Sequence, residues 1–174
     1  MLAGMDARDL QRAIGGVVLE SAYLERVLRA AFSALIGSKY AAVIANRLMA
    51  SALIDDCRRV AEVHSGISAS QRAALIASLH HCESVNHARN RVIHDDWAFR
   101  PANVKVTLPS GDSSHEVTVT AETVSELDGL ASRIGTAADQ VAAAVLAALG
   151  PASLLIEDQL RQELGHDVPS DRGN

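Results

Sequence analysis

Apolar residues recur every three or four positions through most of this chain, and this spacing restricts the possible folds more than any other feature. Between residues 9 and 36 they form one apolar stripe along a helix. The stripe consists of Leu10, Ile14, Val17, Leu24, Leu28, Ala31 and Leu35. It predicts a long first helix that ends near Gly37 and buries one face against other helices.

Further stretches have the same periodicity. Helices are predicted from about 40 to 64, from 70 to about 94, and from about 121 to 149, with a short amphipathic helix over 153–164. The residues expected on the buried sides of the second and third helices are Ile44, Leu48, Ile54, Cys57, Ala61, Leu75, Leu79 and Cys82. The predicted end signals are Gly66, the capping boxes Ser68–Gln71 and Thr123–Glu126, and Gly150–Pro151.

The pattern changes once, after Trp97. Residues 104–108 and 116–120 alternate with period two around the turn-forming sequence PSGDSS, which indicates a β-hairpin. We expect this hairpin, at about 103–120, to lie against helices or another chain, because a free edge would invite aggregation.

At 174 residues the chain has the length of one domain. Only one Trp, two Tyr and two Phe are available, so Ala, Leu, Val and Ile must fill the core. We therefore predict an all-α, antiparallel bundle of four to five helices with one inserted hairpin. It forms a single domain over residues 1–164, followed by a disordered tail over 165–174.

The formal net charge of −5 disfavours a protein that coats nucleic acid by bulk attraction. The two cysteines, Cys57 and Cys82, lack a metal or redox spacing and are expected to be reduced and buried. No stretch approaches about 18 uninterrupted apolar residues, and the charged N-terminal residues do not resemble a signal peptide. We therefore expect a cytoplasmic protein that does not associate with a membrane.

The third predicted helix ends in HHCESVNHARNRVIHDDW, which concentrates histidine and arginine. His80, His87 and His94 are spaced by seven and share a face, with Glu83 and Arg91 between them. One interpretation is a solvated outer face. A metal site is disfavoured, because helical ligand pairs stand about four residues apart rather than seven. The third interpretation is a site that cleaves nucleic acid, with histidine moving protons and arginine stabilising phosphate charge.

The residues Arg89-Asn90-Arg91-Val92-Ile93-His94 resemble the motif of the HEPN (higher eukaryotes and prokaryotes nucleotide-binding) superfamily. In that family an Arg, commonly followed by a polar residue, precedes a His by four to six residues, on a late helix of a small all-α bundle. The resemblance covers roughly residues 10 to 150. It implies a metal-independent endoribonuclease that needs no cofactor.

By that resemblance, His94 would assist attack of an RNA 2′-hydroxyl, Arg89 would stabilise the transition-state charge, and Asn90 would orient both. Arg91 and His87 are candidates for substrate binding at the rim, and Arg91 is an alternative phosphate ligand or a partner of Asp95. Arg89 and His94 stand about 140° apart on an ideal helix. A homodimer through the motif helix, common in the family, would bring two motifs into one cleft.

The family also includes toxins, defence effectors and RNA-processing enzymes, so RNA is the expected substrate, with an antitoxin or a nucleotidyltransferase as a possible partner. Two alternatives stay open. One is a non-catalytic HEPN-like dimer that binds or regulates a partner, which the acidic pI of about 5.8 favours. The other is an unrelated helical bundle that carries the motif by chance.

Overall fold

The computed structural model describes the backbone of residues 7–38, 40–94, 105–110, 113–118 and 121–151. Its side-chain description excludes the two strands and four residues at helix ends, Ala7, His94, Ala121 and Glu122. The helix predicted over 153–164 and the tail predicted over 165–174 lie outside the described residues.

The fold is all-α, as the apolar spacing predicts, and five helices account for most of the described residues. In chain order they are α1 (Ala7–Ile36), α2 (Ala41–Ala45), α3 (Ala50–Val63), α4 (Ala69–His94) and α5 (Ala121–Leu149). The limits predicted for the three long helices are confirmed closely.

Two six-residue strands stand between α4 and α5 in the sequence, β1 (Lys105–Ser110) and β2 (Ser113–Thr118). They pair antiparallel, with Ser110 opposite Ser113. Their limits differ from those of the predicted segments, because both serines belong to the ladder and only two residues separate the strands in sequence.

The prediction of a single helix over 40–64 is wrong, because two helices, α2 and α3, occupy this range. The last turn of α2 tightens, since the N–H groups of Arg47 and Leu48 donate to carbonyl oxygens three residues earlier, at 3.0 and 3.1 Å. Met49 then adopts an extended backbone and is the N-cap of α3. The apolar spacing continues through Ile44 and Leu48 across this break, so periodicity could not reveal it. Ile44, predicted to be buried, is exposed.

Two of the predicted helix stops are confirmed in detail. Gly37 and Gly150 follow α1 and α5 in the left-handed conformation, with φ of +63° and +79°. Their N–H groups donate to the carbonyl oxygens of Ser33 and Leu146, at 3.0 and 2.9 Å. Glycine adopts this conformation without the strain that a Cβ would cause.

Gly66 does not act in this way, because α3 ends at Val63 and the positive-φ glycines do not include Gly66. It lies close to the imidazole of His64 instead: its N–H donates to Nδ1 over 3.1 Å, and a Cβ there would stand 2.9 Å from Cε1, so the imidazole would have to move. The capping box of Ser68 and Gln71 is confirmed. Each backbone N–H bonds to the other side chain, at 2.9 and 3.3 Å. The prediction that Thr123 and Glu126 form a capping box at the start of α5 is wrong, because α5 has already begun at Ala121.

The chain divides into two compact units. Unit 1 comprises Met1–Leu24 and His81–Ala137, and unit 2 comprises Glu25–His80 and Ala138–Asn174. Each long helix contributes one part to each unit. The single domain predicted over residues 1–164 stays a prediction.

In unit 1, α1 and α5 run in the same direction, whereas the predicted bundle is antiparallel. Position numbers rise together along the two helices in successive contacts. These contacts join Arg12 to Asp128, Gly16 to Ala131 and Glu20 to Gly135. Glycine and alanine at the contacts allow a close approach of the two helices.

In unit 2, α3 and α4 run in opposite directions. Arg72 near the start of α4 donates to the carbonyl oxygens of Ala61 and His64 at the end of α3, at 2.9 and 3.0 Å. His80, two turns further along α4, meets Arg58, which lies earlier in α3. The two bonds from Arg72 satisfy carbonyl groups at the end of α3 that have no partner within that helix.

The core follows the predicted stripes. In α1 the predicted apolar residues are buried except Ile14, which is half-buried. In α3 and α4 the predicted buried residues that are confirmed are Ile54, Cys57, Ala61, Leu75, Leu79 and Cys82. Both cysteines are free thiols, as expected.

Candidate functional site on helix α4

All five residues of the predicted site belong to the last two turns of α4, in unit 1. Arg89, Asn90 and Arg91 follow one another, and His87 stands just before them. His94 is the last residue of α4, and its side chain lies outside the described residues.

Arg89 lies on the core-facing side of α4. It follows Cys82 by seven positions and Val85 by four, so the three share one face of the helix. Cys82 and Val85 are buried. Arg89 itself is half-buried, and its Nε atom is shielded from solvent. An arginine in this position supports the helix through its alkyl stem as well as through its charge.

Asn90 is hydrogen-bonded to Arg89. The Nη1 atom of Arg89 donates to Oδ1 of Asn90 over 3.0 Å, and both side chains are half-buried. The bond holds the guanidinium of Arg89 beside Asn90. It is the contact expected if Asn90 orients Arg89. The separate prediction that Asn90 also orients His94 involves a side chain outside the described residues.

His87 and Arg91 lie on a different face, which is open to solvent. Both side chains are exposed, and their separation of four positions places them about 40° apart around the helix. Helical spacing puts position 94 on the same side, three residues beyond Arg91 and seven beyond His87. The exposed face therefore offers one imidazole and one guanidinium to a ligand from solution.

The structure thus brings the predicted residues together in two pairs rather than in one cluster. Arg89 is bonded to Asn90 near the core, and His87 neighbours Arg91 at the surface. On an ideal helix, position 94 stands about 60° from Arg91 but about 140° from Arg89. Within one copy, helix geometry therefore favours Arg91 over Arg89 as the arginine closest to that position.

His80 takes part in a contact between helices. Nη1 of Arg58 lies 3.4 Å from Nδ1 of His80, and Arg58 also forms an ion pair with Asp55. Because a guanidinium only donates hydrogen bonds, Nδ1 of His80 must accept in this contact. His80 therefore joins α3 to α4 in unit 2, a role that its spacing from His87 did not indicate.

Asn86 was not singled out from the sequence, yet it is one of the most buried polar side chains described, at 5% exposure. It precedes Arg89 by three positions and follows Cys82 by four, on the same core-facing side. A buried amide is costly unless it is hydrogen-bonded. Its signal in the sequence is an amide where the stripe of Leu75, Leu79 and Cys82 calls for another apolar residue.

Within the described residues, no group of three or more His, Cys, Asp or Glu side chains is arranged to hold a metal ion. None of the described helices combines the length and hydropathy needed to cross a membrane. The chain matches no protein-family model, no curated protein and no solved structure.

Proposed function

We propose that this chain is a HEPN-like endoribonuclease that cleaves RNA without a metal ion. In this proposal, His94 assists the attack of a 2′-hydroxyl on the adjacent phosphodiester, and Arg89 stabilises the charge of the transition state. The bond from the phosphorus to the 5′-oxygen breaks, leaving a 2′,3′-cyclic phosphate and a 5′-hydroxyl. No cofactor is required.

The observation that carries the proposal is the hydrogen bond from Arg89 to Asn90 near the end of a long helix in an all-α fold. Arginine and a following polar residue are the first part of the motif. Their contact supports the proposed role of Asn90 in orienting Arg89. The exposed pair of His87 and Arg91 supports contact with the RNA backbone beside the reacting phosphate.

The proposal includes a homodimer. Arg89 and position 94 stand on different sides of one helix, so the arginine of one copy would act with the histidine of the other in a shared cleft. The paired strands β1 and β2 would be an insertion into the helical fold that lines this cleft or extends the dimer contact. The proposed setting is the cytoplasm, with an antitoxin or a nucleotidyltransferase as a possible protein partner.

Cleavage of a labelled single-stranded RNA in excess EDTA tests the proposal. Wild type should cleave, and His94→Ala and Arg89→Ala should each lose about 10²-fold or more in rate. Comparing Arg89→Ala with Arg91→Ala decides which arginine serves the phosphate. His80→Ala is the matched control, because His80 is bonded to α3 and should be dispensable for cleavage. Equal cleavage by wild type and His94→Ala would contradict the proposal.

A second function is favoured by the position of Arg89. A half-buried arginine on the core-facing side of its helix has a structural use, and a net charge of −5 weakens attraction for RNA. Both observations suit a non-catalytic HEPN-like dimer that binds or regulates a protein partner. Light scattering at micromolar concentration separates the possibilities: a dimer without nuclease activity supports this second function, and a monomer contradicts the shared site.

A further inference from the structure

Unit 2 exposes a group of large apolar side chains around α2, which we call the α2 patch. Their exposed fractions range from 43% to 73%. The patch consists of Ile36, Tyr40, Val43, Ile44 and Met49. Scattered single apolar residues are normal at a protein surface, but five within fourteen consecutive residues suit the binding of another segment.

The orientation of α2 explains this exposure. The helix turns its small residues inward, since Ala41 and Ala45 are 1% and 0% exposed. Its larger residues, Val43 and Ile44, face solvent. An ordinary surface helix has the opposite arrangement, with its large apolar residues inward. The outward face of α2 is therefore apolar and suited to packing against another apolar segment.

The charge around the patch indicates what could cover it. Between residues 37 and 54 the sequence contains two basic residues, Lys39 and Arg47, and no acidic residue. Arg47 is exposed beside the patch. An apolar segment with acidic edges would complement this surface in both hydropathy and charge.

The same chain contains such a segment at residues 153–164, which lie outside the described residues. Ile156, Leu160 and Leu164 stand four residues apart, so a helix would align them in one stripe. Glu157 and Glu163 would flank this stripe on its two sides. We propose that residues 153–164 bind the α2 patch of their own chain as an amphipathic helix.

The end of α5 makes this attachment accessible. The helix stops at Gly150 in unit 2, the unit that contains the patch. Its last turn is fixed there, because Nε2 of Gln71 donates to the carbonyl oxygen of Ala147 over 2.7 Å. Ile156 follows Gly150 by six residues, so the chain between them reaches up to about 20 Å when extended. The segment therefore starts within one short connection of unit 2.

Hydrogen exchange measured by mass spectrometry tests the proposal on the full chain. Amides within 156–164 should exchange at least about tenfold more slowly than in an unstructured peptide. Ile44→Glu should remove this protection. Leu19→Glu is the matched control, because Leu19 is as exposed as Met49 but lies in unit 1. Unprotected amides in wild type, or protection that survives Ile44→Glu, would overturn the proposal.

A cysteine pair distinguishes binding within one chain from binding between chains. Met49→Cys combined with Leu160→Cys should form an internal disulfide under mild oxidation and leave a monomer on a denaturing gel. The native Cys57 and Cys82 are buried and should not interfere. Replacing Met49→Cys with Leu19→Cys gives the control pair, which should stay reduced. A covalent dimer, or no disulfide in the test pair, would refute binding within the same chain.

Discussion

Arg12 and Asp128 face each other across α1 and α5 in unit 1 through two parallel hydrogen bonds. Nη1 stands 3.1 Å from Oδ1, and Nη2 stands 2.9 Å from Oδ2. Hydrogen bonding from Arg12 lowers the pKa of Asp128, and the same bonding raises the pKa of Arg12. The side chain of Arg12 is exposed and that of Asp128 is half-exposed, so solvent and salt weaken the ion pair.

The lowered pKa of Asp128 predicts a pH-dependent effect of Asp128→Asn. Ionised Asp128 stabilises the fold above its unfolded-state pKa of about 3.9, and this stabilisation is lost as the pH falls through the lower folded pKa. The Tm of the variant should therefore lie below that of wild type at pH 7, and the two should converge in acid. Circular dichroism melts across this range check the prediction. A difference that persists unchanged below pH of about 2 would contradict it.

Gly15 and Gly16 are neighbours in α1 whose surroundings differ. A Cβ at Gly15 would meet nothing within 4 Å, whereas a Cβ at Gly16 would stand 3.7 Å from Cβ of Ala131. Gly16→Leu should lower the free energy of unfolding by about 1–3 kcal/mol, because its outer carbons would crowd α5. Gly15→Leu should raise it by up to about 1 kcal/mol through helix propensity. Urea unfolding of the two variants measures both effects, and equal changes would refute the packing argument.

Arg89 and Arg91 should differ in their effect on stability. Arg89→Ala removes a half-buried side chain and the donor to Asn90, and should cost about 1 kcal/mol in the free energy of unfolding. Arg91→Ala removes an exposed side chain and should change stability by less than about 0.5 kcal/mol. Chemical denaturation checks both values. A larger loss for Arg91→Ala would mean that the two faces of α4 have been assigned the wrong way round.

Burial raises the pKa of the Cys82 thiol to about 12. At pH 8 its thiolate should be roughly 10³-fold scarcer than that of an ordinary cysteine, so alkylation of the folded protein should be correspondingly slow. Because the folded pKa exceeds the unfolded one, the associated stability is lost as the pH rises between about 9 and about 12. Mass spectrometry after iodoacetamide should find both thiols unmodified in the native protein and modified in denaturant.

Helix limits and much of the core could be predicted from sequence where a local signal decides the structure. Gly37 and Gly150 stop helices because only glycine adopts their backbone conformation without strain. Ser68 and Gln71 start α4 because their side chains satisfy each other's N–H groups. In each case the residues that carry the signal also form the contact.

Other features depend on tertiary packing and could not be predicted. The break before Met49 leaves the apolar spacing intact, and the outward orientation of Ile44 depends on which side of α2 meets the core. The candidate site was predicted as one motif, and its division between two faces follows from the phase of α4. The burial of Asn86 shows which face of α4 points inward. From the sequence alone this could be inferred only if the apolar stripe were already known to continue past Cys82.

The side chain of Gln71 has a consequence for the order of folding events. Its oxygen accepts the N–H of Ser68 three residues away, and its nitrogen donates to Ala147, 76 residues away. The first contact closes a very short loop and the second a long one, so chain entropy favours the first. The last turn of α5 should therefore dock late, onto an α4 whose first turn has already formed. A substitution that destabilises the last turn of α5 should then accelerate unfolding more than it slows folding.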